Sequence, residues 1–233
     1  LICRLIKLIS DGSSPTKATI DVVSEFRRLL SKSGGPLPSD EEILGLVGEL
    51  VFISQIIKKN QDCWKGWNGP EGSSRDFTWD KTDVEIKASF QAGEPKITIN
   101  NLNQLEPKSD RSLFLFHSTF VANPKGNISV PTLIEEIHSK IEDKEEFEER
   151  VFKAGYAKEH RDLWMDHKFS LSQSSSYSIT EDFPRINEKS FKNGIIPESI
   201  LRIRYEIDLN KVSKFKVDNE EVFNYFLKDN SGI

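Results

Sequence analysis

The run Asp76-Phe77-Thr78-Trp79-Asp80-Lys81-Thr82-Asp83-Val84-Glu85-Ile86-Lys87 constrains this chain more than any other stretch. Its pattern predicts two strands, 77–79 and 84–90, joined by Asp80-Lys81 as a two-residue hairpin loop. Trp79 then faces Thr82, and counting outward puts Asp76 opposite Glu85. Directly opposed residues share a sheet face, with Cβ atoms about 5 Å apart. Lys87 is two residues from Glu85 and shares that face. Val84, Ile86 and Ala88 point the other way, toward a core.

Two opposed carboxylates repel, so the pairing costs stability unless a cation sits between them. A hard divalent ion with oxygen ligands answers that need; Mg²⁺ takes one or two carboxylates together with waters and phosphate. A lysine beside the ion can hold or activate a water and counter charge on a phosphate. These are the parts of metal-assisted phosphodiester hydrolysis. The plainer reading is an Asp and a Glu-x-Lys on a solvated strand face, a common pattern. Two neighbours favour chemistry: the apolar residues behind Glu85, and a glycine-bearing helix upstream with its own carboxylate.

That helix begins at a capping box, Ser39-Asp40-Glu41-Glu42. Ile43, Leu46, Val47, Leu50 and Ile57 form its apolar stripe. Gly45 and Gly48 lie inside, and since glycine costs roughly 1 kcal/mol against alanine in a helix, two of them predict close approach of another backbone. An earlier helix is expected over 17–31, ended by the loop Ser33-Gly34-Gly35-Pro36. Residues 60–75 read as a loop anchored by Trp64 and Trp67. A short strand is expected at 96–99, a buried strand at 113–121, helices at 131–141 and 145–152, and a strand or exposed ribbon over the Ser-rich 169–180. A strand at 199–209 and a helix at 220–227 complete the pattern. The fold class is mixed α/β, a central sheet holding the Asp76 and Glu85 strands with the Glu49 helix packed on it. The expected divisions are an N-terminal helical segment at 1–36, a core at 37–125 and a helix/strand, α+β extension at 126–233.

The net charge of -5 argues mildly against a nucleic-acid partner, though metal ligands are themselves acidic and a groove can be basic locally. Cys3 and Cys63 are too few for a disulfide framework and fit no zinc pattern, so a cytoplasmic chain is expected. The apolar stretch Leu1 to Ile9 is broken by Arg4 and Lys7 and is too short to span a bilayer, so no membrane partner is expected. The first residue is Leu rather than Met, which is compatible with a fragment of a longer chain.

Gly45-Leu46-Val47-Gly48-Glu49-Leu50, Trp67-Asn68-Gly69-Pro70, Arg75-Asp76-Phe77, Val84-Glu85-Ile86-Lys87-Ala88 and Leu102-Asn103-Gln104-Leu105 together resemble one bacterial family. Gly155-Tyr156, Trp164, Tyr177 and Asp182-Phe183-Pro184-Arg185-Ile186 extend the likeness. It is a family of PD-(D/E)XK members similar to restriction endonucleases, found beside methyltransferase, ATPase and other phage-defence genes. The resemblance implies a restriction-endonuclease-like core and a metal-dependent DNA endonuclease of a restriction or phage-defence system, using Mg²⁺ or Mn²⁺ on double-stranded DNA. Operon-encoded defence proteins and a homodimer are partners it allows. It implies that Asp76 and Glu85 are metal ligands with the Ile86 carbonyl as a third, and that Lys87 is the catalytic lysine. Glu49 matches an accessory ligand on the helix; the duller reading is a solvated helix residue. Gln104 matches a polar residue that orients water or phosphate; a helix-surface glutamine is the plainer reading. Arg75 stands where the superfamily has its proline.

His117 reads as a core or edge residue, and His138, His160 and His167 show no ligand spacing. Lys58-Lys59 and Arg202/Arg204 suit phosphates or a solvated face equally, and Ser172 to Ser176 reads more simply as a loop than as a DNA-backbone contact. Two alternatives remain at this stage: a non-catalytic subunit that binds DNA or protein, and action on RNA or DNA junctions.

Overall fold

A computed structural model describes residues 2–12, 14–30, 38–91 and 95–227. In chain order the helices and strands are α1 (Ile2–Ser10), α2 (Pro15–Leu30), α3 (Asp40–Ile56), β1 (Phe77–Trp79), β2 (Thr82–Phe90), β3 (Lys96–Ile99), β4 (Ser112–Ala122), α4 (Val130–His138), α5 (Lys144–Lys153), α6 (Arg161–Asp166), β5 (Phe169–Ser178), β6 (Tyr205–Asp208), β7 (Lys216–Val217) and α7 (Asn219–Tyr225). The expected loop at 33–36 lies outside the described residues.

One five-stranded mixed sheet organises the chain, in the order β1-β2-β4-β5-β7. β2 and β4 are parallel, and the other neighbours are antiparallel. A parallel pair needs a crossover. Here the crossover contains β3, which pairs with β6 as a separate two-stranded ribbon. The period-2 alternation of β2 sorts its side chains between two cores. Val84 and Ile86 join Phe114, Phe116 and the apolar residues of α3, α4 and α7. The opposite face carries Leu113, Leu115 and Tyr177 and is covered by Ile97, Ile99, Ile207 and Leu209 around the ribbon.

α3 has the Ser39 capping box: the Ser39 hydroxyl accepts from Glu42 N, and the Glu42 carboxylate accepts from Ser39 N at 2.9 Å. It is buried on most sides, more than the single stripe expected from the sequence. Of its two glycines only Gly48 makes the close approach. A Cβ there would lie 2.9 Å from the Ala88 Cβ, whereas Gly45 has nothing within 4 Å. Gly48 therefore sets the spacing between α3 and β2. Phe52, one turn on, contacts Phe77, Phe116, Phe223 and Phe226 with ring centroids 5.0 to 5.8 Å apart. The C-terminal helix thus closes the same core that the hairpin opens.

Two expectations are corrected. Of the two readings of 169–180, strand and exposed ribbon, the strand holds, over Phe169–Ser178 inside the sheet; the loop reading of Ser172 to Ser176 is corrected, since Ser175 and Ser176 are buried beside β4 and Ser176 also pairs with β7. The strand expected at 199–209 is regular only over Tyr205–Asp208, because only those residues find a partner, in β3. Among the described residues no helix is long and apolar enough to cross a membrane.

Candidate active site

The β1–β2 hairpin has the register read from the sequence: Phe77 faces Val84, Thr78 faces Asp83 and Trp79 faces Thr82. Asp80 takes a positive φ of 46° in the two-residue loop, a conformation aspartate tolerates better than most residues. Asp76 immediately precedes β1 and reaches β2 directly. Its Oδ2 accepts a hydrogen bond from Ile86 N at 2.6 Å. Its own carbonyl accepts from Asn68 N and Gly69 N. Backbone and carboxylate are both fixed.

Glu85 is 1% exposed, so the solvated-face reading does not hold for it. Its Oε1 pairs with Lys87 Nζ at 2.8 Å. The carboxylate nevertheless titrates well above its ordinary range, at about 8, because burial and the Asp76 charge outweigh Lys87. Burial likewise raises Asp76, against the opposing pull of the Ile86 N–H and Lys87.

Glu49 faces this pair from α3. Its Oε2 accepts from Trp67 Nε1 at 2.5 Å. Burial, then repulsion from Asp76, push it to about 8, with Glu85 adding to the shift. The loop that carries Trp67 wraps closely over the carboxylate: a Cβ on Gly69 would lie 2.7 Å from Glu49 Oε2, so a side chain there would displace the Glu49 carboxylate. Arg150 holds that loop from α5, donating to the carbonyls of Lys65 and Trp67 at 2.7 Å each. The sequence marks Trp67 as a loop anchor but not as the partner of Glu49, and it does not mark Arg150 at all, because their partners lie 18 and more than 80 residues away.

Arg75, in the place of the superfamily proline, is buried and structural. Its guanidinium donates to the carbonyls of Asn103 and Glu106, and its Nε lies 3.7 Å from Asp83. Arg111 holds the same Asp83 at 2.9 Å. This network ties the turn Leu102–Leu105 to the residue beside Asp76. Gln104 sits in that turn, and its side-chain carbonyl accepts from Asn100 N at 2.7 Å rather than meeting the carboxylates. His117 lies level with Lys87 on β4; it is buried, bonded to Ser89 Oγ at 2.8 Å and held well below the usual imidazole range, at about 4.

The structure therefore brings Glu49, Asp76, Glu85 and Lys87 into one electrostatically coupled group, and leaves Gln104 on its flank. Among the described residues no group of three or more His, Cys, Asp or Glu side chains is already arranged to hold a metal ion. The donor chemistry still fits a hard cation. All three carboxylates are largely desolvated, two titrate near 8 and each uses a single oxygen in the hydrogen bonds described. Such a group gains by taking up either protons or a cation.

A family profile described as "Putative PD-(D/E)XK family member, (DUF4420)" matches residues 1–210. No curated protein and no solved structure matches the chain.

Proposed function

Because this chain belongs to the DUF4420 family, we propose that it is a metal-dependent nuclease that hydrolyses phosphodiester bonds of double-stranded DNA. Nuclease-like character and the mixed α/β fold follow from the family and the sheet. The observation that carries the finer reading is the meeting of Asp76, Glu85 and Glu49 around Lys87, all largely removed from solvent.

In this reading Asp76 and Glu85 hold Mg²⁺, or Mn²⁺ in its place, with the Ile86 carbonyl and Glu49 as further oxygen donors. A bound divalent ion supplies charge neutralisation of the phosphate and a more acidic water. The protein supplies the rest. Lys87 Nζ sits on the face of Glu85, where it can orient the attacking water and counter developing negative charge. Trp67 and Arg150 fix Glu49, and Arg75 fixes the Gln104 turn at the edge of the site. Residues 37–125 form the nuclease core in this reading, and a place in a restriction or phage-defence system suits it.

One observation favours a second reading, a non-catalytic subunit that binds DNA or protein: the described side chains form no ready-made metal cluster. The test is cleavage of duplex DNA with Mg²⁺ or Mn²⁺ by wild type and by Lys87→Ala. Cleavage by wild type alone supports the nuclease. No cleavage by either, with both metals tried, supports the binding subunit.

A further inference from the structure

The fold treats its candidate phosphate-binding cations unequally. Lys59 is paired with Glu220 at 3.1 Å and Lys58 is bonded to Gln55. Arg111, Arg150 and Arg185 are engaged with carboxylates or carbonyls. Arg202 and Arg204 are exposed, and among the described residues neither forms an ion pair.

Both lie in the irregular segment that leads into β6, against the residues that leave β3. Together these segments line an open cavity of about 620 Å³, with Asn101, Leu102, Ile200, Leu201, Arg202 and Arg204 among its walls. Asn101 is two residues from Asn103, whose carbonyl Arg75 holds, so at most about 7 Å of backbone separates the cavity wall from that clamp. Arg75 is bonded covalently to Asp76. The cavity wall is therefore tied, through the Arg75 clamp, to the stretch of chain that carries Asp76.

The same segment presents apolar side chains to water. Leu201 is 96% exposed and Ile195 67%. An exposed apolar side chain followed by two exposed cations, beside the Asn100-Asn101 turn, suits a polyanion with a groove. Arginines contact phosphates and fix register, an apolar side chain enters a groove or wedges a base step, and asparagine amides meet base edges. A single strand is a poorer fit. Its bases stack on aromatic rings, and no Phe, Tyr or Trp lines this cavity.

We propose that residues 195–204 and the Asn101 turn form a duplex-docking surface, with Arg202 and Arg204 on phosphates and Leu201 in a groove. It rests on the nuclease reading only for where the bound duplex is cut.

The test measures binding of a labelled DNA duplex in EDTA, across a salt series, for wild type and the double variant Arg202→Ala with Arg204→Ala. Each lost phosphate contact should flatten the slope of log affinity against log salt by about 0.9, so the double variant should lose about 1.8 and bind roughly tenfold or more weakly. Arg202→Lys with Arg204→Lys should keep the slope. Leu201→Ala should weaken binding with the slope unchanged, since it carries no charge. Lys144→Ala with Lys158→Ala removes equal charge and should leave the slope near that of wild type.

A slope and affinity unchanged in the arginine double variant overturn the surface. If that variant still cuts at wild-type turnover once saturated, the nuclease reading stands while only docking is lost. If wild type binds through this surface and never cuts, the docking proposal stands and the nuclease reading falls. If wild type does not bind duplex at all, the docking proposal falls with it.

Discussion

Glu49 and Trp67 meet across 18 residues of sequence, the indole Nε1 donating to the carboxylate Oε2 at 2.5 Å. The bond is one of the few things that favours a charge at Glu49, which burial and Asp76 both oppose. Removing the donor leaves a part-buried acceptor without its partner, which costs about 1 kcal/mol. Trp67→Phe should therefore destabilise the metal-free protein by that order, beyond the loss of ring contacts. The check is a double-mutant cycle with Glu49→Leu in urea denaturation. A coupling energy of about 1 kcal/mol or more is expected; strict additivity would mean that the indole does not support the carboxylate.

Stability should fall as pH rises through neutrality when no metal is present. Glu49 and Glu85 titrate near 8 in the folded chain, against an ordinary value of 4.5. Between those values the folded state holds protons that the unfolded state has released, so their contribution is complete below 4.5 and lost as pH passes 8. His117 acts in the opposite sense. Its folded value of about 4 lies below the ordinary 6.5, so it costs stability only below 6.5. The window from 6.5 to 8 thus isolates the carboxylates from His117. A decline of roughly 1 kcal/mol per pH unit for each proton involved is expected there, reduced in Glu85→Gln. A profile equally flat in both proteins would show that Glu85 ionises normally.

The local half of this site was legible in the sequence, and its long-range half was not. A two-residue loop fixes a hairpin register, so the facing of Phe77 with Val84, and of Asp76 with β2, followed from counting. The capping box at Ser39 and the close approach at Gly48 followed from residue type. The burial of Glu85 did not, because its cover comes from β3 and β6, which are far apart in the chain and pair only in three dimensions. The strand over the Ser-rich stretch was legible from its alternation, but its place inside the sheet was not, for a similar reason. Serine has weak strand preference by itself, and the pairing on both sides that buries Ser176 is set by β4 and β7. Arg75 looked like a simple departure from a proline, yet its contacts with Asp83, Asn103 and Glu106 lie 8 to 31 residues away.

Divalent metal should stabilise the chain by mass action, since the folded state alone assembles the carboxylates. At a metal concentration of about 100 times Kd the gain is about 2.7 kcal/mol. Mg²⁺ or Mn²⁺ should raise the Tm of wild type, EDTA should reverse the rise, and the gain should be larger at pH 8 than at pH 6.5, where protons compete. Asp76→Asn should lose most of the response. An equal metal response in both proteins would remove Asp76 from the ligand set.

Lys87 separates binding from chemistry. It is paired with Glu85 at 2.8 Å and only 16% exposed, so its charge is held at the carboxylate face rather than offered to bulk solvent. Lys87→Ala removes a group that acts on the water and the charged transition state, while leaving Asp76 and Glu49 in place. Losing one such stabilising group costs about 100- to 1000-fold in rate, so cleavage should fall by at least that much. Duplex affinity should change far less, because one phosphate contact among several contributes modestly. Metal affinity should hold or rise, since Glu85 no longer shares its charge with an ammonium. Single-turnover cleavage, duplex titration in EDTA and metal-dependent Tm together read the three quantities. A Lys87→Ala protein that cuts as fast as wild type would place the chemistry elsewhere in the chain, whereas one that loses cleavage and metal affinity together would make Lys87 a support for the ligand set rather than a participant in the reaction.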